Sequence, residues 1–166
     1  MHAFCLLRQI GIEDDHKNEG TRYFSVCFPQ PCASPRFVQR VRDAKVVLEN
    51  CVVSDTDLML SGTVRVANIS FHKNVVVRYT VNHWATFTDV YASYVHNSND
   101  GATDRFSFTL NIPPYFAEGS KLQFAIMYKA NGQEFWDSNN GANYIIECYA
   151  KAIPITDSDN TWLHFM

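Results

Sequence analysis

Four stretches of this chain alternate apolar and polar residues with a period of two, and that period settles the fold class before any other feature. Leu58, Leu60, Gly62, Val64 and Val66 share one parity, while Met59, Ser61, Thr63, Arg65 and Ala67 share the other. Val75, Val77, Tyr79 and Val81 alternate with Val76, Arg78, Thr80 and Asn82. The same holds for Phe106, Phe108, Leu110 and Ile112, and for Leu122, Phe124, Ile126 and Tyr128. Successive side chains of a strand point to opposite faces, so each stretch reads as a strand with one face in a core. Shorter candidates lie at 45–52, 87–94, 133–138 and 143–148. Asn131-Gly132 predicts a two-residue hairpin, because both residues accept positive φ at low cost. Asp100-Gly101 and Pro113-Pro114 mark longer loops. No segment shows a convincing helical period. Seven to eight short strands in roughly 110 residues predict an all-β antiparallel sandwich.

The chain has 166 residues, room for one domain with flanking segments. Residues 1–35 carry Gly11, Gly20, Pro29, Pro31 and Pro35 and read as an irregular linker. Residues 149–166 read as a tail, which leaves 36–148 as the domain. Charged residues make up 19% and the net charge is −3, which removes the electrostatic case for nucleic acid. No run approaches a membrane span. The apolar stretch Ala3 to Leu7 lacks a basic flank and is followed by acids, so no signal peptide is expected. Cysteines 5, 27, 32, 51 and 148 form an odd, scattered set, which predicts free thiols in a reducing, cytoplasmic setting. Cys51 and Cys148 lie in apolar runs and read as small core residues.

No nucleophile elbow, zinc motif, P-loop or dinucleotide fingerprint is present, and no cofactor or metal is expected. Asp137, Asn139 and Gly141 approach a calcium loop. The glycine comes one position early, Glu147 is misplaced as a terminal ligand, and no helix flanks the stretch, so calcium is rejected. The acids Asp89, Asp100, Asp104, Glu134 and Asp137 hold material for a glycosidase pair, but sequence gives no separation between them.

Aromatic residues number 12 Phe, 8 Tyr and 3 Trp, and flat rings that face outward bind flat ligands. Trp84 falls on the parity of Arg78, Thr80 and Asn82, and Trp136 on that of Glu134 and Ser138, so regular strands would place both off the core. A ring covering the sheet rim would show the same parity. Trp136-Asp137-Ser138-Asn139-Asn140-Gly141-Ala142-Asn143-Tyr144 combines two rings with several short polar side chains. Asn donates and accepts, which suits the hydroxyls of a neutral sugar. Asn-Asn-Gly is equally good turn chemistry with no ligand, and both readings stand at this point.

Residues 62–89 closely resemble a signature of family-21 carbohydrate-binding modules in glycogen-targeting regulatory subunits of protein phosphatase 1. The match is carried by Gly62, Val64, Val66, Asn68, Phe71, Lys73, Val75, Val77, Arg78, Thr80, Trp84 and Asp89. A second signature is matched by Trp136, Asp137, Asn139, Asn140, Gly141, Asn143 and Tyr144, with Ser138 in place of an Asn. His72 and Asn82 depart from the acidic residues of the family pattern. The resemblance implies an immunoglobulin-like sandwich that binds glycogen or another α-glucan through Trp84, Asp89, Trp136, Asp137, Asn139, Asn140, Asn143 and Tyr144. It further implies a noncatalytic targeting role, with the phosphatase catalytic subunit and glycogen synthase as partners. Family members dock the phosphatase through a basic-x-valine-x-phenylalanine type of motif. The nearest match is Val26 and Phe28, with Ser25 where a basic residue is wanted, so a chain beginning after that motif is the other expectation. Two further readings differ in class: a small glycoside hydrolase, and a protein-interaction sandwich that binds no sugar.

Overall fold

A computed structural model describes residues 5–10, 21–54 and 56–151. The parts of the expected linker at 1–4 and 11–20 and of the expected tail at 152–166 lie outside the described residues. Eleven strands occur among the described residues: β1 (Cys5–Ile10), β2 (Thr21–Cys27), β3 (Val46–Ser54), β4 (Met59–Ala67), β5 (Lys73–Thr80), β6 (Thr88–Tyr91), β7 (Ser93–Tyr94), β8 (Thr103–Asn111), β9 (Lys121–Ala130), β10 (Gln133–Asp137) and β11 (Tyr144–Lys151). A 3-10 turn, Pro31–Ala33, and one helix, α1 (Phe37–Ala44), join β2 to β3.

The strands form two antiparallel sheets. One has the order β1-β2-β11-β9-β5-β6, with β10 also paired to β9; the other has the order β3-β4-β8-β7. Their facing sides make one core, in which Leu48, Leu60, Val64, Leu110, Leu122, Phe124, Ile126 and Tyr128 are fully enclosed. The alternation therefore read the inner faces of β4, β5, β8 and β9 correctly, and Asn131-Gly132 makes the β9–β10 hairpin with φ of 53° and 72°. Cys51 and Cys148 are core residues as expected, and burial pushes the Cys51 thiol up to about 12. Gly62 lies on the inner face of β4, where a Cβ would come within 2.5 Å of the Phe108 ring and 2.9 Å of the Asn50 carbonyl.

Four expectations are corrected. Residues 21–35 are not an irregular linker: β2 pairs with β11, and Phe24 and Val26 enter the core at 1% exposure. Val26 and Phe28, the docking candidates, are 1% and 4% exposed, with the Phe28 ring packed on Tyr144 at 4.8 Å. Neither side chain is presented to a partner. The strand count exceeds seven to eight because β1 and β2 fell in that linker, and because the 87–94 candidate divides at Ala92, so that β6 joins one sheet and β7 the other. Residues 149–151 extend β11 instead of starting a tail.

Helix α1 buries Phe37 and Val41, four residues apart, against Val47 on the outer side of β3. Val47 reaches that side because β3 carries a bulge between Leu48 and Asn50. Before the bulge Val46 and Leu48 face the core; after it Cys51 and Val53 do. The displaced Glu49 collects Thr63 Oγ1 at 2.8 Å, Arg65 Nε at 3.1 Å, and Arg105 Nε and Nη2 at 2.6 and 3.1 Å. Burial pushes its carboxyl up, but the bonds from Arg105 and Thr63 and the two guanidinium charges outweigh it and leave the pKa below the ordinary 4.5. Since the folded-state value is depressed, the stabilisation is present above about pH 4.5 and is lost as pH falls through the folded pKa. In melting curves between about pH 6 and 3, wild type is expected to lose stability faster than E49Q, so that the gap between them closes toward acid. A constant gap across that range contradicts this account.

Candidate functional site

The outer face of the larger sheet carries one set of exposed rings. Trp136 on β10 sits opposite Met127 of β9, which sits opposite Val76 of β5. Phe135 turns inward beside Tyr128, so Trp136 points outward and is 40% exposed, as its parity indicated. Its indole N–H donates to Glu134 Oε2 at 2.9 Å. On neighbouring strands Arg78 is opposite Asp89, and their side chains form a two-point pair, Nε to Oδ1 at 2.8 Å and Nη2 to Oδ2 at 3.0 Å. Hydrogen bonding from Arg78 holds the Asp89 carboxyl below its usual range. The guanidinium lies 4.1 Å over the Phe87 ring and 5.4 Å from the Trp136 ring. Phe87 is 53% exposed. Asp89 thus stands in the site by way of Arg78, to which both its oxygens are committed.

Trp84 arrives differently. Strand β5 ends at Thr80, whose buried hydroxyl accepts the N–H groups of Asn82 (3.2 Å) and Trp84 (3.1 Å) and lies 2.6 Å from the Thr86 carbonyl. Asn82 Oδ1 accepts the Thr86 N–H at 3.0 Å. These local bonds compete with the strand and win, so Val81 leaves the core parity and is exposed. His83 and Trp84 take φ of 55° and 67°, a left-handed pair that costs non-glycine residues strain. Trp84 is half-buried instead of fully outward, and its indole N–H is buried with no partner among the described residues. Asn82, which departs from the family's acid, is the residue that closes this turn.

The polar loop after Trp136 has two kinds of residue. Asp137 is buried and accepts from Leu48 N at 2.7 Å, Tyr144 Oη at 2.6 Å and Asn139 N at 3.1 Å. Tyr144 is 1% exposed and stacks on Phe124 at 5.2 Å; burial and then the Asp137 charge push its phenol pKa far up. The expectation that the Tyr144 ring meets a ligand is corrected: the ring belongs to the core, and its hydroxyl anchors Asp137. Asn139, Asn140 and Asn143 have φ of 53°, 57° and 60°, a conformation asparagine tolerates better than most residues. Asn139 spends its amide on the Asn143 carbonyl at 3.1 Å. The side chains of Asn140, exposed, and Asn143, half-buried, make no hydrogen bond to the described residues. Turn chemistry and ligand chemistry therefore coexist in one loop.

A second hollow, of about 690 Å³, lies elsewhere, lined by Asn68, Phe71, Lys73, Tyr94, Asn99, Asp104 and Phe106. Phe71 is 91% exposed and Tyr94 48%. Lys73 and Asp104 pair at 2.9 Å with side chains only 9% and 3% exposed, and Asn99 donates to Asp104 at 2.8 Å. Rings beside paired amides and charges repeat the chemistry of the first face. Sequence reasoning did not single out Phe71 or Tyr94 as site residues, nor Phe87. A usable signal for Phe71 was its failure to sit in any strand candidate. Among the described residues no helix is long and apolar enough to cross a membrane.

Two exposed aromatic surfaces on a β-sandwich, each flanked by amides and by groups that both donate and accept, define a carbohydrate-binding module. The carbohydrate/starch-binding module family 21 matches residues 40–147, and the chain belongs to that family. It is 43% identical over 122 residues to the glycogen-binding subunit 76A of Drosophila melanogaster, covering 73% of this chain and 18% of that protein. It is 41% identical over 128 residues to the mouse (Mus musculus) protein phosphatase 1 regulatory subunit 3A, covering 76% of this chain and 12% of that protein. The chain thus spans less than a fifth of these relatives. Among solved structures, the carbohydrate-binding module of the muscle glycogen-targeting subunit of protein phosphatase 1 superposes with a TM-score of 0.66 at 38% identity, covering 85% of this chain and 99% of that one.

Proposed function

We propose that this chain is the glycogen-binding module of a noncatalytic regulatory subunit that brings protein phosphatase 1 to glycogen and to enzymes bound there, glycogen synthase among them. The observation that carries the reading is the outward Trp136 ring, set beside the ion-paired Arg78 and lining a hollow with the exposed Asn140. An apolar sugar face stacks on the ring while amides exchange hydrogen bonds with the hydroxyls. Trp84 supplies a second ring, and the Phe71–Tyr94 hollow a second point of contact. Each contact is weak, and a branched glucan with many chain ends gains from several at once.

The targeting half rests on the relatives, whose names are those of glycogen-binding and phosphatase regulatory subunits. Because Val26 and Phe28 are core residues, they are not part of the proposed phosphatase contact. A cytoplasmic, glycogen-associated setting follows from the same role. Antiparallel pairing and a chain that changes sheets at Ala92 support the immunoglobulin-like reading. In pelleting assays with glycogen, W136A is expected to lose most binding and W84A part of it, with far-UV spectra unchanged. Full binding by both folded variants refutes the site.

A further inference from the structure

Three groups on the outer face form a unit, of which Phe87 is not among the residues that carry the family signatures. Phe87 precedes β6, Arg78 lies on β5 and Trp136 on β10, so three separate segments converge. The Arg78 guanidinium is 4.1 Å from one ring centroid and 5.4 Å from the other, and so bridges the two rings. Its orientation is fixed from the side by the two-point pair with Asp89, which spends Nε and Nη2. Nη1 makes no hydrogen bond to the described residues. The Trp136 ring is fixed in turn by its N–H bond to Glu134. Long exposed side chains ordinarily lose rotamer entropy when they are fixed in one place, and here the carboxylates hold the arrangement in advance of any ligand. An arginine paired at two points with a carboxylate and lying over aromatic rings uses both of its recognition modes at once, which lysine cannot reproduce.

We infer that Phe87 and Trp136, bridged by Arg78, form one two-ring platform that takes adjacent glucose residues of a single α-glucan chain, and that Arg78 is the positioning residue that sets the spacing of the rings. The inference rests on the glucan-binding reading above and deepens it: the ligand is an extended oligosaccharide instead of a terminal sugar. A ligand reaching one ring gains nothing from the second. A ligand spanning both gains a second stacking contact. Binding therefore rises with chain length for a reason located in three named side chains.

The experiment titrates the full chain with maltose and with maltoheptaose, followed by tryptophan fluorescence and calorimetry, and compares the ratio of the two affinities. Wild type is expected to favour maltoheptaose. F87A and R78M are each expected to reduce that ratio about threefold to tenfold, with melting temperatures within about 2 °C of wild type. The combined F87A/R78M variant is expected to be no worse than the more affected single variant, because the two act as one unit. R78K is expected to resemble R78M, and D89N to reproduce part of the loss. If W136A loses binding while F87A and R78M keep the wild-type ratio, the platform is wrong and the sugar site stands. Independent, multiplying effects of F87A and R78M, or full rescue by R78K, also overturn the bridging role. No binding of maltoheptaose by folded wild type overturns the platform together with the function it rests on.

Discussion

Replacing Asp137 with alanine is expected to lower the stability of the module by about 2–4 kcal/mol and to remove glucan binding with it. The side chain is buried, and three donors from three places end on it: Leu48 N–H of β3, the Tyr144 hydroxyl of β11 and Asn139 N–H of the loop. Truncation leaves the first two inside the protein without an acceptor. Each such group costs roughly 1–3 kcal/mol, and water entering the gap recovers part of that. A melting midpoint lower by roughly 6–15 °C corresponds to this range for a domain of this size. Y144F removes one donor and keeps the acceptor, so its loss should be about 1 kcal/mol. D137N keeps the shape but turns an amide N–H₂ toward one of the donors, and should fall between the two. Calorimetry checks the order. A D137A protein that melts with wild type sinks the account, because Asp137 is the acceptor shown for Leu48 N–H, and the Arg40 side chain that also bonds the Tyr144 hydroxyl is a donor and cannot replace the carboxylate.

The second large effect belongs to Lys73 and Asp104, which join β5 of one sheet to β8 of the other across the end of the core. Their side chains are 9% and 3% exposed, and Lys73 Nζ at 2.9 Å is what neutralises Asp104 Oδ2. Removing the lysine strands a carboxylate in a poorly solvated place. K73M is expected to cost about 3–5 kcal/mol in urea unfolding. The double variant K73M/D104L is expected to regain most of it, since an apolar pair of similar volume needs no desolvation. Simple addition of the two single losses would show that the pair is not the source. The same variants read out the Phe71–Tyr94 hollow, whose floor they form, so the double variant should be folded yet weaker on glycogen.

The inner faces of β4, β5, β8 and β9 were legible because period two survives any tertiary context in which one face is buried. Trp136 was legible for the same reason. Trp84 was not, because its parity was extended past Thr80, where side-chain hydroxyl and amide bonds take over the backbone. Helix α1 offers only Phe37 and Val41 at helical spacing, too short a pattern to stand above the background. The bulge at Glu49 leaves no mark beyond a strand whose parity changes partway. Most instructive is Val26-x-Phe28. A valine and a phenylalanine two apart satisfy a docking motif, yet two is also the repeat of a strand, and Phe24, Val26 and Phe28 are successive inward residues of one chain segment. The spacing alone cannot tell a peptide offered to a partner from a strand end kept for the core. The asparagines of the loop were ambiguous for a comparable reason: positive φ and sugar hydroxyls both select Asn.

Strand β3 is an edge of its sheet, yet two stretches of its free side are covered. Gln30 receives the Cys51 N–H at 2.9 Å and donates to the Cys51 carbonyl at 3.0 Å, imitating a neighbouring strand with one side chain, and Asp137 covers Leu48 N–H further along. An open edge is a template for another copy of the same protein. A polymer with thousands of chain ends would crowd many copies of a glucan-binding module into a small volume, where any such template would be found quickly. The two plugs leave less of β3 to pair with a neighbouring copy. One plug is also the anchor of the loop beside Trp136, so damage to that loop should be followed by clumping as well as by release from the particle.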